Sequence, residues 1–157
     1  MIHLANILIA TNDPALGQEL LNKIRRHGYD GRVVSSQNAA LATAQQEHPD
    51  IVLVGPSLAG GDPFSLAKGL QDSATCTDIP ISLIAATGAT EILLQALDAG
   101  IDDVLAGPFD DVKLLARLRP LVRLSTMQAE LHQRARTARR FGIDIDERLP
   151  RDTTETG

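Results

Sequence analysis

The residues of this chain that are equipped for chemistry are few and scattered. Asn12 and Asp13 place an amide oxygen beside a carboxylate, directly after a short apolar run, and Asp62, Asp102 and Asp103 add further carboxylates. Magnesium demands an octahedral shell of oxygens with compensating charge. One amide and one carboxylate fall short of that, so any metal binding at Asn12 and Asp13 is expected to be weak. Cys76 is the only cysteine, which excludes an internal disulfide and suggests neither a zinc site nor a redox pair. We expect no catalytic residue, no metal and no cofactor.

Composition narrows the classes further. At 157 residues the chain has room for one core with an appendage, but not for two ordinary domains. With 43% hydrophobic residues, 3% aromatics and no Trp, the core must be built from Leu, Ile, Val and Ala. A net charge of −5 gives no whole-protein case for binding nucleic acid. Arg134, Arg136, Arg139 and Arg140 form a local basic patch, read as a solvated face balanced by the acidic tail. No apolar run approaches the roughly 20 residues of a membrane span, and the amino terminus lacks the layout of a signal peptide. A cytoplasmic protein with no membrane partner is expected.

The elements that must position these groups follow from periodicity. Ile7 to Ala10, Ile51 to Val54, Ile79 to Ala85 and Val104 to Ala106 lack polar alternation, as strands covered on both faces do, and Arg32 to Ser35 adds a weaker fifth. Between them lie helical patterns: Leu16, Leu20, Leu21 and Ile24; Ala40, Leu41 and Ala44; Phe64, Ala67 and Leu70; Ile92, Leu93, Ala96 and Leu97. Strands alternating with helices predict a doubly wound parallel α/β sheet. Asp13 and Pro14 suit the cap and first residue of a helix that Gly28 stops. A fifth helix should begin near Asp111 with Val112, Leu114, Leu115 and Leu118 inward, and Pro120 should kink or break it. Beyond Pro120, Leu124, Met127, Leu131, Ala135 and Ala138 recur at spacings of three and four, a thin apolar stripe on a polar helix ending near Phe141-Gly142. The expected divisions are 1–123 for the core, 124–142 for this linker or dimerisation helix, and 143–157 for a disordered tail.

These segments, in order and without gaps from Ile7 to about Arg123, resemble response-regulator receiver domains. Ile7-Leu8-Ile9-Ala10-Thr11-Asn12-Asp13-Pro14 stands where that family writes I-L-I-V-D-D-D-P, and Pro49-Asp50-Ile51-Val52-Leu53-Val54 stands where it writes P-D-L-I-L-L. Asp62 to Phe64, Asp78-Ile79-Pro80-Ile81, Leu97 to Asp103, Gly107-Pro108-Phe109-Asp110 and Leu114 to Arg117 match D-G-F, D-I-P-V, L-E-A-G-A-D-D, K-P-F-D and L-L-A-R. The resemblance implies a flavodoxin-like (CheY-like) five-stranded parallel sheet of order 2-1-3-4-5, here with an extended carboxyl-terminal helix.

The resemblance also implies a site, and here every position of it is altered. Receivers transfer a phosphoryl group to an aspartate at the end of the third strand. Two acids hold magnesium, a lysine pairs with the phosphoryl group, and a hydroxyl with an aromatic partner reads the change out. Carried over, the nucleophile is Gly55, the acid pair is Thr11 and Asn12, the hydroxyl is Ala85, the lysine is Gly107 and the aromatic is Val104. Losing one member of a buried charged set typically costs about 3–5 kcal/mol, whereas losing both signs together leaves nothing unbalanced. The expectation is a pocket refilled for packing. By their family positions, Asp62, Asp102 and Asp103 are read as solvated loop acids, not substitute acceptors, and Pro108 is expected to follow a cis peptide bond.

What then remains is surface. Arg117 to Leu124, with Glu130-Leu131 beyond, looks like the junction joining receivers to diguanylate cyclase (GGDEF) or histidine kinase output regions. A stripe too thin to bury itself alone suits pairing with a second copy. The function expected is a non-phosphorylatable pseudo-receiver acting as a protein-interaction or dimerisation adaptor, with an output domain or sensor kinase as partner and a homodimer through the last helix. The alternative is a domain sensing a small ligand in the emptied pocket.

Overall fold

The computed structural model describes residues 5–85, 90–106 and 110–140, with the backbone alone for residues 90, 132, 136 and 138–140. Five strands and five helices alternate: β1 (Asn6–Ala10), α1 (Pro14–Arg26), β2 (Asp30–Val34), α2 (Gln37–Glu47), β3 (Ile51–Val54), α3 (Pro63–Asp72), β4 (Ile81–Ala85), α4 (Thr90–Asp98), β5 (Asp103–Ala106) and α5 (Asp111–Arg140). The sheet is parallel throughout, in the order β2-β1-β3-β4-β5. This is the doubly wound, flavodoxin-like arrangement expected.

Strand periodicity divides the core into two layers, because successive side chains point to opposite faces. Leu8, Ala10, Val52, Val54, Ile81 and Leu83 pack with Ala40, Ala44, Leu66, Leu70 and Ala96 from α2, α3 and α4. Ile7, Ile9, Ile51, Leu53, Ile84 and Leu105 pack with Leu20, Ile24, Leu114 and Leu118 from α1 and α5. The chain divides into two compact units, residues 1–125, which hold the sheet, and residues 126–157.

Local signals set most boundaries. The Asp13 carboxylate caps α1 by accepting from Ala15 and Leu16 backbone N–H groups, and Pro14 occupies the first turn. Gly28 follows that helix with φ of 91°, a conformation for which glycine carries no steric penalty. Asp62 and Ser65 form a reciprocal capping box at α3.

Several expectations are corrected. The second strand starts at Asp30 instead of Arg32, and the fourth at Ile81 instead of Ile79. Pro120 does not break α5, which continues through it to Arg140; proline removes one backbone donor, and the turns on either side hold the helix. Among the described side chains of α4 only Ala96 is fully buried and Ile92 partly so, while Leu93, Leu94 and Leu97 are exposed. Val112 in α5 is 75% exposed, because the inward stripe is set by Leu114, Leu118 and Leu121. The tail from 143 lies outside the described residues.

Candidate functional site

All five strands of the parallel sheet end on the same edge, and ligands of open parallel sheets bind outside such carboxyl ends. The loop after β1 is fixed by Thr11 N donating to Val34 O at 2.9 Å and Asn12 N donating to Ser57 O at 3.2 Å; the start of the loop after β3 is fixed by Gly55 N donating to Ala10 O at 2.9 Å. These bonds bring Thr11, Asn12 and Gly55 together.

Thr11 is 2% exposed, and its side chain occupies the space a side chain at position 55 would need. A β-carbon on Gly55 would lie 2.8 Å from Thr11 Oγ1, 2.9 Å from Thr11 Cβ and 3.2 Å from Leu16 Cδ2. All three are at or below the separation of atoms in contact, so even alanine requires movement. A β-carbon on Gly17 of α1 would likewise lie 3.3 Å from Thr11 Cγ2. Thr11 is therefore wedged between α1 and the end of β3, and its hydroxyl oxygen accepts from Asp13 N at 3.1 Å.

The remaining oxygen donors are already in use. Ser57 Oγ donates to Asn12 Oδ1, and Asp13 Oδ1 accepts from Ala15 N and Leu16 N at 3.0 and 3.3 Å. Magnesium belongs at this edge of a receiver, but two uncharged residues and a carboxylate engaged as a helix cap do not fit it. Among the described residues, no three His, Cys, Asp or Glu side chains are grouped to hold a metal ion.

Ala85 ends β4, buried, beside an open apolar cleft of about 360 Å³ whose walls include Pro56, Pro63, Phe64, Leu83 and Ile92, with Asp62 and Gln95 as polar members. Val104 lies in β5 opposite Leu83 and is half-buried against the α2–α3–α4 layer. Gly107 and Pro108 lie outside the described residues, and the expected cis bond with them. The acids have local duties. Asp62 caps α3, and Asp102 Oδ2 accepts from Ile81 N at 2.8 Å. Asp103 belongs to β5, not to a loop, and lies 3.6 Å from Arg117 Nη1.

Of the stripe on α5, Leu124, Met127 and Leu131 are exposed and Ala135 is half-buried, while the Ala138 side chain lies outside the described residues.

Two features carried no signal in the sequence. Ser57 is an isolated loop hydroxyl whose role depends on a partner 45 residues away. Asp111, the first residue of α5, gathers three groups from the end of α1: Arg26 Nη2 at 3.1 Å, His27 Nε2 at 2.9 Å and Lys23 Nζ at 3.6 Å. Hydrogen bonds from His27 and Arg26 hold its carboxyl below the ordinary 3.8. The basic cluster Lys23, Arg25, Arg26 and His27 was readable, but not that a carboxylate 85 residues downstream meets it.

Comparison with known proteins agrees with this architecture. The family model described as "Response regulator receiver domain" matches residues 7–119. The response regulator PleD of Caulobacter vibrioides is 34% identical over 139 residues, covering 88% of this chain and 31% of that protein. The DNA-binding dual master transcriptional regulator RpaA of Synechocystis is 32% identical over 117 residues, covering 74% of this chain and 48% of its own length. This chain thus spans about a third to a half of these relatives. A crystal structure of a putative response regulator from Chloroflexus aurantiacus superposes with a TM-score of 0.73 at 26% identity, covering 78% of this chain and 99% of the other.

Proposed function

Because this chain belongs to the response regulator receiver domain family, we propose that it is a receiver which has given up the phosphoryl switch and works as a protein-interaction or dimerisation adaptor in two-component or cyclic-di-GMP signalling. Membership of that family supports this reading, with kinases and output regions as the partners proposed. The observation that carries the loss of the switch is the Thr11 side chain standing where an acceptor side chain at position 55 would stand. A nucleophile, a cation site and a phosphate-pairing lysine must all be present for phosphoryl transfer. Gly55, the uncharged Thr11 and Asn12, and the glycine at 107 supply none of them. The chain is accordingly read as non-enzymatic.

Adaptor function requires surfaces. α4 presents Leu93, Leu94 and Leu97 to solvent, and α5 presents Leu124, Met127 and Leu131. We take the α5 stripe as the homodimer contact. Light scattering of the full chain should report a dimer, and truncation after Arg123 a monomer; a monomer at the highest attainable concentration of full chain refutes the dimer.

The cleft beside Ala85 supports a second reading, in which the domain senses a small apolar ligand. Its volume of about 360 Å³ falls within the range of small-molecule sites, and its walls are predominantly apolar. Under this reading a panel of small apolar compounds raises the thermal midpoint, and Ala85→Phe, which fills the cleft, abolishes the rise. Equal shifts in both proteins exclude the cleft.

A further inference from the structure

The cleft beside Ala85 has apolar walls and a single charged group. Pro56, Pro63, Phe64, Leu83 and Ile92 supply carbon surface, and the polar members are Asp62 and Gln95. Among the described residues no Lys, Arg or His lines it. Asp62 commits one carboxylate oxygen to its own helix, Oδ1 accepting from Ser65 N at 2.8 Å. Its Oδ2 accepts no hydrogen bond and meets no cation among the described residues. The positive end of the α3 dipole does not cancel the remaining charge, because it amounts to roughly half an elementary charge against a full one. Gln95 of α4 is exposed, and its carboxamide makes no hydrogen bond with the protein among the described residues.

Resting on the reading of this cleft as a ligand site, we propose that its ligand is an organic ammonium ion, with an apolar body against Phe64 and the proline rings and its N–H groups directed at Oδ2 of Asp62. An ammonium carries donors and no acceptor, which suits a site whose open groups are a carboxylate oxygen and the amide of Gln95. A cation is also attracted to the face of an aromatic ring, here Phe64. The same carboxylate turns other classes away. A carboxylic acid or a phosphate ester meets Asp62 with like charge, and a free amino acid brings a carboxylate along with its amine. The class that fits is a primary amine with one ring or a short branched chain and no acid group. A cleft of about 360 Å³, at the small end of ligand sites, agrees with a body of that size.

The test compares three probes that share a ring and a two-carbon chain: phenethylamine, phenethyl alcohol and phenylacetate. In an NMR titration of the full chain, the backbone amides of Phe64, Leu83, Ala85 and Ile92 should shift. Phenethylamine should bind several-fold more tightly than the alcohol, as an exposed ion pair gives, and phenylacetate most weakly. The advantage of the amine should shrink as salt is raised. Asp62→Asn keeps the helix cap, because Asn and Asp cap about equally well. It should bring the amine down to the level of the alcohol and leave the alcohol unchanged. An alcohol that binds as tightly as the amine, or an amine whose advantage survives Asp62→Asn, overturns the selection by charge and leaves the cleft as an apolar site. If none of the three probes shifts the cleft residues, the ammonium ligand and the ligand-sensing reading both fall, and the adaptor is unaffected.

Discussion

At position 55 a β-carbon would meet Thr11 Oγ1 and Cβ at 2.8 and 2.9 Å, so one of the two residues has to move. Interiors are packed closely enough that an added methyl must displace something. Gly55→Ala is therefore expected to destabilise the fold by about 1–3 kcal/mol in urea denaturation. Combined with Thr11→Gly, which removes both contacts, its additional cost should fall, and a strictly additive pair would mean that the two positions do not share space. What was legible at this scale was residue type: the positions that the resemblance assigns to the site, 11, 12, 55, 85, 104 and 107, carry no carboxylate and no lysine. What their space holds instead was not legible. That Thr11 fills the space of residue 55, and that Ser57 occupies the oxygen of Asn12, depends on how two strand ends approach each other.

Between elements, the clasp of α1 on α5 is the most specific polar contact. Asp111 lies in the first turn of α5, where a negative charge also favours the helix dipole, and its partners come from the last turn of α1 and the residue after it. Its carboxyl is held below 3.8 in the folded chain, so this contribution to stability is present above that value and disappears as pH falls through the lowered one. Asp111→Asn should thus lower the urea midpoint at pH 7 and have little effect near pH 2; an equal deficit at both would assign the loss to packing. Pro120 is the second case. It lies inside α5 without a backbone donor, and a proline in a helix interior costs about 3 kcal/mol relative to alanine. Pro120→Ala is expected to raise the thermal midpoint, and a fall would assign proline a packing role. The helices were legible from their apolar repeats, with α4 as the instructive failure. Leu93, Leu94 and Leu97 share the hydrophobicity of core residues, yet among the described side chains of α4 Ala96 and Ile92 are the ones that join the core, because a nine-residue helix on one face has a narrow inward stripe. Periodicity names the apolar positions; contact geometry decides which are covered.

For the molecule as a whole, the doubly wound layers were recoverable because continuous apolar strands require cover on both faces, whereas the strand order β2-β1-β3-β4-β5 was legible only through the resemblance to receivers. The exposed apolar surface is what the proposed adaptor role would use. Leu94, 58% exposed on α4, belongs to neither core layer, so Leu94→Glu should change folding stability by no more than about 0.5 kcal/mol. A larger loss in chemical denaturation would show that this face supports the fold instead of standing ready for a partner. We propose that a receiver fold persists here without the capacity to take up phosphate. It is tested most directly by incubating the full chain with acetyl phosphate and magnesium and measuring intact mass. We predict no phosphoryl adduct under conditions that modify an aspartate-bearing receiver. An acid-stable, base-labile adduct on any carboxylate of this chain would contradict it.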